Sequence, residues 1–449
     1  MINKKKIIFF IIFILLHNCS FDSKTGIWND AEKEKKRIAV LETEQSKILK
    51  IEKVYSADNA YSKEVILKKK INLSKPKNYS EWKMSNLNHA NFLGNIYLSG
   101  IDNKFLKKKI GKDKFSIHNN MSLVLVYDNN IIFSDDKGTI FNINKNGKVN
   151  WKKNIYKKSY KNIYKNLVFS IYGDSIYVAD NIGLIYSIKL NNGKLRWIKN
   201  YGASIKSNIK ISDNQIFFID QNNRISSLNV KDGSLIWDIL SISSFIKSQN
   251  LLSLAVSPDG FLFAITSAAD VYKIDIKTGS IIWSRNTADS LYANASDFLK
   301  SSELVLSGNQ IIFSSGSKIF SYDTKKGKIK WKNDVSYSGA AIIDDENIFV
   351  ITNNGYFVIL KKNTGEIISS TNILKILKKK KQNTQITNFI MGSGKIYSVT
   401  SNGFLIVSSA FNGKAEYFKK IGEKNISPLI INDGVLYLLT ESSRIIGFK

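Results

Sequence analysis

Hydrophobic and polar residues alternate through most of the chain, in short runs that end at polar turns. One run, Ser175–Ala179, follows a turn at Gly173 and Asp174, and the next, Leu184–Ile188, precedes a turn that contains Gly193. Alternation of this kind is typical of half-buried β-strands, and Asn, Asp and Gly between two such runs mark hairpins. The pattern therefore predicts an all-β protein built from antiparallel hairpins.

A short motif recurs seven times. It consists of alternating apolar residues followed by a polar turn that contains glycine. In the five clear copies a tryptophan lies four positions after that glycine. Those copies contain Gly147 and Trp151, Gly193 and Trp197, Gly233 and Trp237, Gly279 and Trp283, and Gly327 and Trp331. Two weaker copies have Ser369 after Gly365 and Tyr417 after Gly413. Successive glycines lie about 44 residues apart, which is typical of a four-stranded propeller blade.

The two recurring residue types have structural explanations. Each turn glycine is expected to adopt a positive φ, which costs glycine no steric strain. Each tryptophan is expected to open the outermost strand of its blade and to pack between neighbouring blades. We prefer this packing role to an alternative in which the indoles stack on a cofactor.

The count of strands predicts how the ring closes. Three more strands follow the seventh motif, at Pro428–Ile431, Val435–Leu439 and Arg444–Phe448. A closed ring then needs one strand from the other end of the chain, and Asn95–Gly100 is the expected donor. Residues 80–449 allow about 46 residues for each of eight blades. We therefore predict an eight-bladed β-propeller of four-stranded antiparallel blades, the last closed by an N-terminal strand.

The N-terminus reads as an export signal. Lys4–Lys6 precede the apolar run Ile7–Leu16, which is shorter than the roughly 20 residues of a transmembrane helix. The only cysteine of the chain, Cys19, follows in a context similar to a bacterial lipobox, in which the thiol is acylated and becomes the mature N-terminus. The alternative is a chance cysteine after an ordinary signal peptide. Aspartate directly after the cysteine would favour retention in the inner membrane. Ser20 occupies that position, so we expect the protein in the outer membrane.

These features divide the chain into three parts. Residues 1–18 are predicted to be a lipoprotein signal peptide, residues 19–79 a tether with some local structure, and residues 80–449 the propeller. Within the tether, Arg37–Lys53 has a helical pattern. The tether is long enough for the propeller to stand away from a bilayer.

The chain is strongly basic, with 66 Lys and Arg against 37 Asp and Glu and a net charge of +29. Its densest runs are Lys107–Lys109, Lys152–Lys165 and Lys375–Lys381. We interpret them as solvated faces that reflect drift in an AT-rich genome, with attraction to an anionic membrane or an acidic partner as the alternative. Export argues against nucleic acid, and a single cysteine excludes an intrachain disulfide or a cysteine-based zinc site.

The repeats resemble the quinoprotein-type (PQQ-like) propeller repeat, which occurs in quinone-dependent dehydrogenases and in the propeller lipoprotein of the outer-membrane β-barrel assembly machinery. Lys36–Leu41 is similar to the opening of alphaproteobacterial members of the second family. Trp82, Asn88 and His89 are similar to the segment that leads into their first strand, although Lys83 and Asn86 replace the usual Pro and Gly.

The resemblance to the assembly family implies a scaffold that performs no chemistry and has no cofactor. Such a scaffold docks on the periplasmic domains of the barrel-assembly channel protein and assists the folding and insertion of outer-membrane proteins. The docking loops correspond to residues 250–257, with Leu252 and Leu254, and residues 293–300, with Asp297. Ala255 stands where Arg is expected, and Leu299 replaces a second acid. The alternatives are a strand interior for the leucines and a solvated turn for Asp297.

Two other functions remain as alternatives. A quinone-dependent dehydrogenase needs a calcium-binding group, a catalytic aspartate and, in many members, a vicinal disulfide; the single cysteine excludes the disulfide, and no metal-ligand spacing stands out. A general cell-envelope propeller that binds polysaccharide or another protein is the third hypothesis, because a shared fold does not determine function.

Overall fold

The computed structural model describes residues 19–22, 27–50, 61–113, 115, 123–241, 251–287, 301–381, 383–424 and 426–449. A short antiparallel pair, β1 (Cys19–Asp22) and β2 (Ile27–Asp30), precedes the helix α1 (Ala31–Lys50). The helix covers most of the stretch predicted at Arg37–Lys53 and begins earlier. Glu32 and Glu34 lie in its first turn, where negative charge favours a helix N-terminus.

The described residues from Lys104 onward form eight four-stranded antiparallel sheets, so the predicted eight-bladed β-propeller is confirmed. β3 (Lys104–Lys109) comes first in the chain but belongs to blade 8. The strands of blades 1 and 2 are β4 (Leu125–Tyr127), β5 (Asn130–Ser134), β6 (Ile140–Asn144), β7 (Val149–Lys153), β8 (Leu167–Tyr172), β9 (Ser175–Asp180), β10 (Leu184–Lys189) and β11 (Leu195–Asn200). Those of blades 3 and 4 are β12 (Lys210–Ser212), β13 (Gln215–Ile219), β14 (Arg224–Asn229), β15 (Leu235–Leu240), β16 (Leu254–Val256), β17 (Phe261–Ile265), β18 (Asp270–Asp275) and β19 (Ile281–Asn286).

The second half of the ring repeats this order. The strands of blades 5 and 6 are β20 (Val305–Ser307), β21 (Gln310–Ser315), β22 (Lys318–Asp323), β23 (Ile329–Asn333), β24 (Ile342–Asp344), β25 (Asn347–Ile351), β26 (Tyr356–Lys361) and β27 (Ile367–Asn372). Those of blades 7 and 8 are β28 (Ile386–Gly392), β29 (Lys395–Thr400), β30 (Phe404–Ser409), β31 (Ala415–Lys420), β32 (Ile430–Asn432), β33 (Val435–Leu439) and β34 (Arg444–Phe448). Short 3-10 helices at Lys158–Tyr160 and Ile373–Lys381 lie in connections between blades.

The strand that closes blade 8 is β3, so the prediction of Asn95–Gly100 as the donor was wrong. β3 pairs antiparallel with β34, with Lys104 opposite Phe448 and Lys109 opposite Arg444. Four lysines in six residues conceal its strand character, because an outermost strand buries one face only and here mainly Leu106. Asn95–Gly100 has the apolar alternation of a strand but lies inside the ring.

The alternating strand directions give the ring two faces. The turn face carries the tight turns between the first and second strands of each blade and between the third and outermost strands. The linker face carries the turns between the second and third strands and the connections between blades. Residues 201–209 and 334–341 are examples of these connections.

The hydrophobic core lies between neighbouring blades. One cluster combines Phe217 and Ile219 of blade 3 with Leu254, Val256 and Leu262 of blade 4. Each sheet is buried on both faces by its neighbours, and only its outermost strand reaches solvent. The first three strands of each blade are accordingly more deeply buried than the outermost one.

Candidate functional site

A segment inside the ring, residues 82–99, contacts all eight blades in their order along the chain; we call it the central belt. Its backbone forms hydrogen bonds with the innermost strands or the turns that follow them. The contacts with seven blades are Trp82 to Val126 (2.7 and 3.1 Å), Ile171 to Lys83 (2.8 Å), Val256 to His89 (2.9 Å), Leu306 to Ala90 (2.9 Å), Ile343 to Leu93 (3.0 Å), Ile96 to Met391 (3.4 Å) and Ser99 to Gly434 (3.0 Å).

Blade 3 contacts the belt through side chains instead. The ammonium group of Lys210 donates hydrogen bonds to the carbonyl oxygens of Ser85 and Asn88, both at 2.8 Å. His89 Nε2 lies 2.6 Å from the carbonyl oxygen of Ile211. Burial lowers the pKa of His89, so the neutral imidazole is favoured and its Nε2–H donates to that carbonyl.

Lys210 is fully buried, and the loss of solvent lowers its pKa to about 7. Glu303, which precedes blade 5, is the nearest charge that opposes this shift. Its carboxylate accepts hydrogen bonds from Ser253 Oγ at 2.6 Å and from Asn208 Nδ2 at 3.2 Å. Burial raises the pKa of Glu303. A cation and a carboxyl group thus share the interior of the ring beneath the belt.

The belt also joins blades 4 and 5 through Asn91, which is completely buried. Its Nδ2 donates to the carbonyl oxygens of Leu254 and Leu304, both at 2.8 Å. The buried polar groups of the belt therefore satisfy backbone groups of the surrounding blades. This arrangement supports a structural role for the cluster. No group of three or more His, Cys, Asp and Glu residues that could hold a metal ion occurs within the described ranges.

The recurring tryptophans pack between blades, as the sequence predicts, but each is the third residue of its outermost strand, so the prediction that it opens the strand was wrong. Each indole lies against the turn glycine of the next blade and donates from Nε1 to a backbone carbonyl three residues before that glycine. The five hydrogen bonds are Trp151 to Leu190 (3.0 Å), Trp197 to Val230 (3.0 Å), Trp237 to Ile276 (2.8 Å), Trp283 to Thr324 (3.2 Å) and Trp331 to Lys362 (2.8 Å). The turn glycines have φ between 62° and 77°, in the left-handed region.

Three of the eight contacts between blades lack this tryptophan, and in two of them a turn glycine lies against other side chains. Gly147 of blade 1 lies against Leu106 and the aliphatic stem of Lys108 in β3. Gly413 of blade 7 lies against Phe357 and Thr371 of blade 6. The contact between blades 8 and 1 therefore has a lysine stem where five of the other contacts have an indole.

Leu252 and Leu254, two of the residues predicted to bind a partner, lie at the base of the linker face. Leu252 and Leu254 are each 1% exposed, and Leu254 is the first residue of β16. The strand-interior alternative accounts for this burial, and direct contact of either leucine with a partner stays a prediction. Asp297 falls outside the described residues.

The predicted lipidation site is at the start of the described chain. Cys19 begins β1, and its backbone is paired with Asp30 of β2. Acylation of Cys19 stays a prediction. The part of the chain that the structure describes has no helix with the length and hydropathy needed to cross a bilayer.

The central belt was not predicted as such. Trp82, Asn88 and His89, which were expected to lead into a first strand, lie in the belt. Asn88 Nδ2 donates to the carbonyl oxygen of Phe92 at 2.7 Å, and Asn88 Oδ1 accepts from the N–H of Phe92 at 3.0 Å. The sequence contains only a weak signal for Lys210 and Glu303. Lys210 is the first residue of β12, and Glu303 lies two residues before β20.

The ring and its repeated Trp–Gly contacts define a β-propeller of quinoprotein-type repeats. Residues 136–371, more than half of the chain, match the family described as outer membrane protein assembly factor BamB. The chain therefore belongs to the BamB family.

Individual relatives agree with this assignment. The chain is 22% identical over 284 residues to the outer membrane protein assembly factor BamB of Moranella endobia, a match that covers 60% of this chain and 71% of that protein. The crystal structure of BamB from Moraxella catarrhalis superposes with a TM-score of 0.64 at 12% identity, over 77% of this chain and 99% of that one.

The fold is also shared with enzymes. The quinohemoprotein alcohol dehydrogenase of Comamonas testosteroni superposes with a TM-score of 0.63 at 9% identity, over 82% of this chain and 80% of that one. At this level of identity the likeness concerns the fold alone. The relatives found by sequence bear the name of an assembly factor.

Proposed function

We propose that this protein is a non-enzymatic scaffold of the outer-membrane protein assembly complex. It docks on the periplasmic domains of the barrel-assembly channel protein and assists the folding and insertion of outer-membrane β-barrel proteins. The observation that carries the proposal is the match of more than half the chain to the BamB family. The use of the buried Lys210, Glu303 and Asn91 in joining the blades also supports a structural role.

The docking surface proposed for the channel protein is the linker face at blades 3 to 5. Residues 251–253 of the first predicted docking loop lead into β16 from this face, and residues 301–304 lead into β20 from the same face. Residues 250 and 293–300 lie outside the described residues, so their contact with a partner is part of the proposal. Ser253 Oγ joins the bases of the two connections, because it donates to Glu303 at 2.6 Å and accepts from the backbone N–H of Leu304 at 2.8 Å. In this proposal Leu252 and Leu254 secure the first connection, and Asp297 contributes charge to the partner contact.

The protein is further proposed to be a lipoprotein of the outer membrane that faces the periplasm. The basic N-terminus, the short apolar run and the position of Cys19 support removal of residues 1–18 and acylation of the cysteine. Acyl chains contribute roughly 0.8 kcal/mol for each buried methylene group, so two or more chains anchor a protein stably.

The proposal is tested by affinity purification of the full-length protein from detergent-solubilised outer membranes. Co-purification with the barrel-assembly channel protein is the expected result. Recovery of other envelope proteins without the channel protein would contradict the proposal and favour a general envelope-binding propeller.

The docking surface is tested separately with Asp297→Lys. We expect at least about a fivefold loss of co-purified channel protein, because reversing the charge replaces attraction by repulsion and costs roughly 1 kcal/mol or more. Asp259→Lys is the matched control, since Asp259 is exposed on the turn face of blade 4. Equal retention by both variants would remove Asp297 from the contact and leave the scaffold function standing.

A further inference from the structure

The outermost strands of the blades differ sharply in charge around the ring. On blades 7, 8 and 1 the strands β31, β3 and β7 contain eight lysines and one glutamate. On blades 3 and 4 the strands β15 and β19 contain one aspartate and one arginine. The outermost strands of blades 2 and 5 each carry two cations, and that of blade 6 carries none. Blades 8 and 4 lie on opposite sides of an eight-bladed ring, so most of the positive charge of the outermost strands lies on the side of blade 8.

The lysines of blades 7, 8 and 1 form one continuous surface, which we call the basic rim. Burial lowers the pKa of Lys104, and so do the charges of Lys107 on the same strand and Lys419 on the neighbouring blade. Lys108 lies against Gly147 of blade 1. The basic rim consists of Lys104, Lys107, Lys108, Lys109, Lys152, Lys153, Lys419 and Lys420.

Few charges of the basic rim are neutralised within the protein. Lys109 pairs with Asp113 at 2.9 Å, and Lys419 lies 3.8 Å from Asp102. Neither Lys107 nor Lys152 forms an ion pair with another described residue, and both are exposed. The rim therefore presents a net positive surface to the solvent.

Protection of sheet edges does not explain this distribution. Lysine on an edge strand discourages pairing with other chains, and the need is greatest where the edge is apolar. The most apolar edge is β15, where Leu235 and Leu240 are 53% and 61% exposed. It carries no lysine. Protection of the most apolar edge therefore does not account for where the lysines lie, which points to a binding role.

We propose that the basic rim binds the anionic phospholipid headgroups of a bilayer, so that blades 7, 8 and 1 face the membrane. Flexible lysines on three adjacent strands suit a diffuse layer of phosphate groups better than one defined ligand, because each ammonium is a compact, strongly hydrated charge. A polybasic surface combined with an acyl anchor is an effective pair of membrane signals. This inference concerns the orientation of the ring and holds whichever protein partner docks.

The experiment uses the mature chain, residues 19–449, with Cys19→Ala, so that neither an acyl anchor nor the basic, apolar leader dominates binding. Flotation with phosphatidylcholine vesicles is compared with flotation after addition of phosphatidylglycerol, at low and high salt. We expect binding only to the anionic vesicles and its loss at high salt.

The variant Lys107→Gln/Lys152→Gln/Lys420→Gln removes one exposed charge from each of the three blades. We expect its partition coefficient to fall at least about tenfold. The matched control, Lys325→Gln/Lys328→Gln/Lys330→Gln, removes three exposed charges from blade 5. We expect this control to keep most of the vesicle binding. It has the same net charge as the rim variant, and only the position of the three substitutions differs.

Three results would overturn the proposal. The first is equal binding of the unsubstituted rim to neutral and anionic vesicles. The second is an equal loss of vesicle binding in the rim variant and in the blade 5 control, which would show that only the net charge of the protein matters. The third is capture by immobilised poly-glutamate without any vesicle binding, which would assign the rim to an acidic polypeptide.

Discussion

The indole of Trp283 lies directly against the backbone of Gly327 in the next blade. A β-carbon added to Gly327 would come within 2.7 Å of the indole ring, closer than carbon atoms approach without displacement. The same relationship recurs at Gly193, Gly233, Gly279 and Gly365 with the tryptophan of the preceding blade. The glycine is thus required both for its positive φ and for the space that the indole occupies.

We predict that Gly327→Ala destabilises the protein by about 2–4 kcal/mol. Alanine at φ 62° costs about 1 kcal/mol, and displacement of a packed ring adds roughly 1–3 kcal/mol. The control is Gly308→Ala in the same blade, where φ is 58° but no atom lies within 4 Å of the added carbon. We expect only the backbone cost there. Equal losses of unfolding free energy in urea would show that the indole contact contributes nothing.

The tryptophan side of this contact gives a second prediction. Trp331 is 8% exposed and donates to the carbonyl oxygen of Lys362 at 2.8 Å. Trp331→Phe keeps much of the packed ring but loses this hydrogen bond, at a cost of about 1–2 kcal/mol. Trp331→Ala also leaves a cavity and is expected to cost about 3–5 kcal/mol. Calorimetric melting that gives the two variants the same midpoint would contradict this ranking.

The blades could be predicted from the sequence because their determinants are local. A turn glycine and an indole four residues later appear in a fixed order, and the structure places both where the motif indicated. The last three strands were likewise located, at Ile430–Asn432, Val435–Leu439 and Arg444–Phe448. Strand alternation and turn residues act over a few residues, so a single sequence records them.

The central belt could not be predicted in the same way. Ile96 and Leu98 alternate like strand residues, yet their partners are Gly392 and Gly434, hundreds of residues away. No local pattern distinguishes a segment that pairs with the ends of many strands from one that pairs along a single strand. The lysines of β3 caused the opposite error, because a lysine-rich segment resembles a loop and β3 was not predicted to be a strand. The burial of Leu252 and Leu254 could not be predicted either, because it depends on how the neighbouring blades pack against these residues.

A third prediction concerns the segment that docks on the outer edge of blade 6. The backbone groups of Val65 and Ser370 form two hydrogen bonds of 2.9 Å, and Glu64 pairs with Lys375 at 2.7 Å. Val65→Pro removes one of these donors. We expect faster hydrogen exchange at the amide of Ser370 and little change in the global unfolding free energy, because few buried groups are involved.

Ile66→Pro is the control for this segment. Ile66 is 86% exposed, and its N–H forms no backbone hydrogen bond with another described residue. Exchange at Ser370 is expected to stay slow in this variant. Equally fast exchange in both variants would mean that proline disturbs the segment wherever it is placed and that the Val65 hydrogen bond is not decisive.

The last prediction concerns pH and Lys210. Its pKa in the folded protein is about 7, below the ordinary value of 10.5, because burial disfavours the charged form. Between these two values the unfolded chain binds a proton that the folded chain does not, so stability rises with pH. Glu303 has a pKa above its ordinary value of 4.5. Between these two values the folded chain binds a proton that the unfolded chain does not, so in this more acidic range the unfolding free energy decreases as pH rises.

We therefore expect the unfolding free energy to rise by up to about 1.4 kcal/mol per pH unit between pH ~8 and ~10, through Lys210. Lys210→Met removes this group and is expected to flatten that part of the profile, measured by urea unfolding at several pH values. Lys189→Met is the control, since Lys189 is exposed on β10, and it should keep the slope. An unchanged slope in Lys210→Met would mean that the ammonium stays protonated in the ring, with its hydrogen bonds to Ser85 and Asn88 outweighing the cost of burial.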